Sequence, residues 1–234
     1  MPLQVEIVQS ITYAAYLLCI WGFFVVMFPL YRAKLVVQQR TAIWVIVACF
    51  VLAFGDSFHL VPRLIDMFAR LMGSSGGVGG WIGFGLAASS FTLSLFYLFL
   101  ALYAWRKFAL RWDGWMWVLV AACVVRIVLL LFPENAWGSA LYTPWKFYRN
   151  VPFVVQGLGV IILFWQAAKV APASQAALLR GMVWSILASF IFYIATLVGT
   201  LWSSWWGMFM LPKSAAYLVL VWLLFKFEFQ RDAK

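Results

Sequence analysis

Charge is scarce in this chain. Only 10% of its 234 residues are Asp, Glu, Lys or Arg and 66% are hydrophobic, whereas soluble domains run at about 25% and about 45–50%. A water-soluble globule is excluded by those proportions. Histidine occurs once and carboxylates seven times, too few for a zinc or two-metal centre, and no cofactor is expected. The three cysteines, Cys19, Cys49 and Cys123, are an odd number without C-x-x-C spacing and lie in apolar stretches. They are read as small hydrophobes and not as a disulfide framework or a redox pair. The glycine-rich stretch Ser74 to Gly80, "SSGGVGG", lacks the Lys-Ser/Thr ending of a phosphate loop and reads as a flexible turn.

What the chain does contain is long apolar runs. A helix rising about 1.5 Å per residue needs about 20 residues to cross the hydrocarbon core. Seven stretches meet that need: Ile7 to Tyr31, Ala42 to Leu60, Trp81 to Trp105, Trp115 to Phe132, Val151 to Ala168, Leu178 to Leu201 and Met208 to Phe225. Lipid offers backbone groups no hydrogen bonds, so each must be a helix. The expected fold is therefore an all-α integral membrane protein of seven transmembrane helices, forming one domain over residues 1–234. The first span follows Glu6 and lacks a basic leader or small-residue cleavage site, so it reads as a retained span.

Basic residues set an expected orientation. One side carries Arg32, Lys34, Arg40, Arg106, Lys107, Arg111, Lys169, Arg180, Lys226, Arg231 and Lys234; the other carries Arg63, Arg70, Arg126, Lys146, Arg149 and Lys213. The positive-inside rule then places the N-terminus outside and the C-terminus in the cytoplasm of a bacterial cytoplasmic membrane. The net charge of +10 follows from the basic loops and points to anionic lipid headgroups, not nucleic acid. Trp112, Trp115 and Trp117 at one boundary, and Trp202, Trp205 and Trp206 at the other, fit interfacial aromatic belts.

Two connections and a candidate repeat complete the organisation. Arg63, Asp66 and Arg70, interleaved with apolar residues, suggest a separate short amphipathic helix in the interface. The stretch from Pro133 to Pro152 mixes charge with Trp and Tyr and is suited to cap a cavity. Arg40, Trp44, Ile46, Ala48 and Phe50 match Arg180, Trp184, Ile186, Ala188 and Phe190, and spans three and seven align similarly. Such matches suggest two parallel three-helix repeats joined by helix four, an arrangement some transporters use.

The few ionisable groups inside the spans carry the functional expectation. Asp56, His59 and Arg63 recur one turn apart and point within about 60° of each other, so they form one polar stripe. A charge near the bilayer centre costs on the order of 2.5–3.5 kcal/mol, and the stripe should face the bundle interior or a wet cavity. Arg126 lies near mid-depth in span four and stays protonated, so it needs a carboxylate or an anion; Asp56 is the nearest candidate in depth. Arg149 opens span five, Gln156 lies about two turns inside it, and Lys213 lies at the outer end of span seven, where it is expected to guard the entrance; all fall in the same half of the spans.

Paired Asp and Arg can also simply fix helix register, and basic residues near span ends can snorkel. The excess of cations over carboxylates favours a ligand: a small anionic or zwitterionic solute, or a lipid headgroup. His59 one turn from Asp56 is either a proton relay or a hydrogen-bonded core histidine. Three functions stay open: a transporter with an outward-facing charged cavity, an intramembrane enzyme acting on a lipid headgroup, and a seven-helix sensor working through a separate partner.

"GDSFHLVPR", Gly55 to Arg63, and "YRNVPF", Tyr148 to Phe153, resemble the signatures of a family of bacterial seven-helix membrane proteins of uncharacterised activity. The resemblance runs over most of the chain, including "LFPENAW" before span five. It implies the seven-helix fold and transfers no activity. Retinal proteins fit less well, because Lys213 is at the edge of span seven and not deep within it. Alkaline ceramidase-like hydrolases need several histidines, and sugar-transporter-like seven-helix proteins need a Pro-Gln pair that is absent.

Overall fold

A computed structural model describes residues 3–73, 79–138 and 143–230. Most of the glycine-rich stretch, part of the Pro133 to Pro152 connection, and Arg231 and Lys234 lie outside these residues. Among the described residues there are helices and no strands. Seven helices are of membrane scale: α1 (Leu3–Ala33), α2 (Val36–Leu71), α3 (Gly79–Lys107), α4 (Gly114–Leu130), α5 (Val151–Val170), α6 (Ala173–Gly199) and α7 (Met210–Glu228). Six are long and apolar enough to cross a membrane, and α4 is a shorter apolar helix of 17 residues. The chain is an all-α, multi-pass membrane protein.

Local chemistry explains several boundaries. Asp113 caps α4, its carboxylate accepting from the backbone N–H groups of Trp115 and Met116, which satisfies donors that a helix start leaves orphaned. After α4 a 3-10 turn over Pro133–Asn135 folds the chain back over the bundle. The side-chain amide of Asn135 donates to the Leu129 and Phe132 carbonyls and so ties the returning chain to the end of α4. A single helical turn, Trp145–Tyr148, then leads into α5.

The largest departure from the sequence reading is at α2. The Arg63 to Met72 segment is not a separate interfacial helix; α2 runs without a break through Pro62 to Leu71. Pro62 has no N–H to offer the Phe58 carbonyl one turn back. That side of α2 is instead closely covered by α3, where a Cβ on Gly85 would collide with the Phe58 carbonyl oxygen. Gly55 is packed as tightly, and a Cβ there would meet the hydroxyl of Thr92 on α3. Small residues thus let the α2 and α3 backbones approach, as in membrane helix pairs generally.

Six helices close a ring through the contacts α1 with α2, α2 with α3, α3 with α5, α5 with α6, α6 with α7, and α7 with α1. The remaining helix, α4, packs on both α3 and α5. It therefore rides outside the ring over their seam. The bundle has two ends, here called the N-terminal face, where α1, α3, α5 and α7 begin, and the C-terminal face, where they end.

At the C-terminal face the ring is tied by a carboxylate that the sequence reading passed over. Glu228 is buried at the end of α7. It accepts a hydrogen bond from Tyr103 at 2.8 Å and pairs with Lys107 at 2.8 Å and Lys34 at 3.9 Å. One side chain thereby joins the ends of α3 and α7 to the turn between α1 and α2.

Candidate functional site

The polar groups of the spans converge on a cavity of about 100 Å³ toward the N-terminal face. That is room for a few waters or one small ion. A larger concavity of about 630 Å³ lies between α1, α2 and α3, but its lining is apolar except for Ser57. The Ser57 hydroxyl is already used, donating to the Ala53 carbonyl and accepting from the Trp21 indole N–H. A groove without free polar groups cannot orient a charged solute, so the candidate site is the smaller cavity.

Arg126 dominates it. The residue is 1% exposed, and its Nε and Nη1 atoms have no hydrogen-bond partner among the described residues. Its guanidinium carbon lies 3.6 Å from the centroid of the Phe153 ring on α5. From its place outside the ring, α4 thus delivers this side chain across the α3 and α5 seam into the cavity wall. A desolvated cation–π contact is worth about 2 kcal/mol or more. The effective penalty for burying an ion is several kcal/mol. The aromatic ring therefore offsets only part of it.

Two further cations line the same cavity. Arg149 donates from Nη1 to the Asn135 side-chain oxygen at 2.8 Å and lies 3.9 Å from the Trp137 ring. Both contacts come from the connection after α4, which also packs its Trp137 carbonyl against Gly83 of α3. Lys213 is 5.0 Å from the Tyr193 ring and 5.4 Å from that of Tyr217. It is only 7% exposed, so it does not guard an entrance; the first turn of α7 is folded against α6 and buries it in the wall.

Asp56 is the carboxylate facing these three cations, and it is engaged elsewhere. Tyr16 of α1 donates a short hydrogen bond to one oxygen, and Ser89 of α3 donates to the other at 3.3 Å. The Arg126 to Asp56 pairing suggested by their common depth is not among the ion pairs of the described residues. Depth along a helix does not specify which neighbours share a wall. His59 also lines the cavity, is 8% exposed and has no partner on Nδ1 among the described residues. Tyr16 and Ser89 are the partners of the Asp56 oxygens among the described residues, and no hydrogen bond there joins Asp56 to His59 despite their one-turn spacing.

The other two expected residues lie apart. Arg63 lines a second concavity nearer the N-terminal face. Gln156 is buried behind the cavity wall, its amide donating to the Ser94 carbonyl at 3.2 Å and its oxygen unpartnered. It braces α5 against α3 and does not line the cavity. Sequence reasoning missed Tyr13, Tyr16, Tyr193 and Tyr217. A signal existed, because a phenol inside a span must find a polar partner, and Tyr13 and Tyr16 share one face of α1 at i, i+3.

Comparison with family models, with curated proteins and with solved structures finds no match to this chain.

Proposed function

We propose that this multi-pass membrane protein binds a small anionic or zwitterionic solute in the cavity beside Arg126 and moves it across the membrane. The observation that carries the reading is the pair of unpartnered, buried guanidinium nitrogens on Arg126, in a cavity where Arg126, Arg149 and Lys213 meet the carboxylate of Asp56. A bound carboxylate or phosphate would accept from those donors and offset the surplus positive charge; a guanidinium fork suits either group. Asp56 would then set the balance between a purely anionic ligand and one that also carries an ammonium.

Transport is supported by the placement of the two polar centres. The cavity lies toward one face of the bundle, while the Glu228 cluster knits helix ends together at the other. A bundle hollow toward one face and locked at the other suits one end state of an alternating-access cycle. We take the hollow end as the exterior side of a bacterial cytoplasmic membrane, following the distribution of basic residues.

The test is thermal unfolding of the purified protein against a panel of carboxylates, phosphate and lipid headgroups. At least one anion should raise the unfolding temperature, as any ligand that binds only the folded state must. R126A should abolish the rise. A protein indifferent to the whole panel, with R126A behaving like the parent, would refute the reading.

A further inference from the structure

The second concavity, of about 270 Å³, lies between α1, α2 and α3 at the N-terminal face. Gln9, Ser10 and Tyr13 come from α1, and Arg63, Asp66 and Arg70 from the outer extension of α2. Two relationships connect it to the inner cavity. Tyr13 lines both. Arg63 lies four residues beyond His59 on α2, about 6 Å along the axis at helical rise, and His59 lines the inner cavity. The two hollows are therefore stacked along the bundle. Tyr13, which is 6% exposed, stands where they meet.

Among the described residues that line the outer hollow, Asp66 is paired with Arg70 at 2.9 Å, whereas Arg63 meets the Tyr13 hydroxyl through a side-chain hydrogen bond and keeps its buried Nε without a partner. We propose that the outer hollow is an antechamber that selects anions at Arg63, and that the Tyr13 side chain is the partition an anion must displace to reach Arg126. This rests on the cavity reading above and adds to it the route, the selecting residue and the gate. The α2 extension has a role in this scheme: by continuing as one helix through Pro62, it carries Arg63 in line with Asp56 and His59 and holds it directly above them.

The route can be read by the reactivity of a reporter thiol. Ser90 lines the inner cavity, and its hydroxyl bonds only its own helix, at the Leu86 carbonyl. Ser90→Cys would be introduced into a background with Cys19, Cys49 and Cys123 replaced by Ala. The purified protein in detergent would be treated with two thiosulfonate reagents of similar size, one carrying a sulfonate and one a quaternary ammonium. The sulfonate reagent should modify the introduced thiol about tenfold faster or more. R63Q should remove most of that preference and R63K should retain it. Y13A should speed both reagents, and Y13F, which keeps the ring but removes the hydroxyl bonded to Arg63, should speed them less.

Equal rates for the two reagents, or a preference that survives R63Q, would overturn the antechamber. Rates unchanged in Y13A would overturn the gate. Anion-induced thermal stabilisation, measured on the same proteins, separates this proposal from the one beneath it. If anions still stabilise R63Q and Y13A while labelling ignores both substitutions, the route is wrong and the cavity stands. If no anion stabilises even the parent, the cavity reading falls and the antechamber with it. A normal elution profile and unfolding temperature for each variant show that altered labelling is not misfolding.

Discussion

The guanidinium of Arg126 lies over the ring of Phe153, 3.6 Å from its centroid, with its Nε and Nη1 hydrogen-bonded to nothing in the described protein. An aromatic face stabilises a cation without consuming its N–H donors. The arrangement therefore keeps a charge buried and its hydrogen-bonding capacity free for something else. Phe153→Leu should destabilise the protein by about 2–4 kcal/mol, through the lost ring and the lost cation–π contact, and should weaken anion binding. Phe153→Tyr should retain most of both. Unfolding in detergent with and without the stabilising anion measures the two effects separately.

Asp56 should set the sign of the proposed ligand. With its carboxylate removed in Asp56→Asn, the cavity holds three cations and no counter-charge from that position. A purely anionic solute should bind about tenfold more tightly or better, which corresponds to about 1.4 kcal/mol. A zwitterion should bind more weakly, because its ammonium has lost its partner. Calorimetry with an anion and a zwitterion sharing the same carboxylate distinguishes the outcomes; a substitution without effect on either would show that Asp56 only anchors Tyr16 and Ser89.

Glu228 should act on stability and not on recognition. Removing one partner of a buried ion pair typically costs about 3–5 kcal/mol, because the other charge is left uncompensated. Glu228→Gln should lower stability by that order while leaving anion affinity in the distant cavity close to the parent value. Pairing it with Lys107→Met tests how much of the loss belongs to that pair, whose ammonium is 31% exposed and can turn to water when the carboxylate charge is removed. A double-mutant cycle gives the coupling directly.

The α2 and α3 contact should be intolerant of a single methyl group. Gly85→Ala drives a Cβ into a backbone oxygen of α2 that cannot rotate away, so a loss of about 1–3 kcal/mol is expected. Gly22→Ala is the control: nothing lies within 4 Å of its Cβ position in α1, and helix propensity alone would make it neutral or slightly stabilising. Equal stabilities for the two variants would show that the helices are not in close contact at Gly85.

The depth of Asp56, His59 and Arg126 was legible in the sequence because rise per residue is constant along a helix. What they touch was not. Asp56 and Arg126 share a depth, yet Asp56 bonds Tyr16 and Ser89 while Arg126 stacks on Phe153. Lys213 sits where an end-of-span lysine would be expected to reach water, but the first turn of α7 buries it. Gln156 has the right depth and the wrong azimuth. The break expected before Arg63 failed because Pro62 interrupts one hydrogen bond, which a membrane helix covered by a close neighbour accommodates.

The sequence by itself determined that this is a seven-helix, all-α membrane protein with a surplus of positive charge in one half of its spans. Hydropathy and helical rise act along one strand of chain, so a linear reading reaches them. Only the tertiary structure decided that α4 stands outside a closed ring of six and sends its arginine inward, that Glu228 ties the far end, and that two hollows meet at Tyr13. Those outcomes depend on which helix faces which, and a helix that is apolar on nearly every side carries little trace of its neighbours in its own residues.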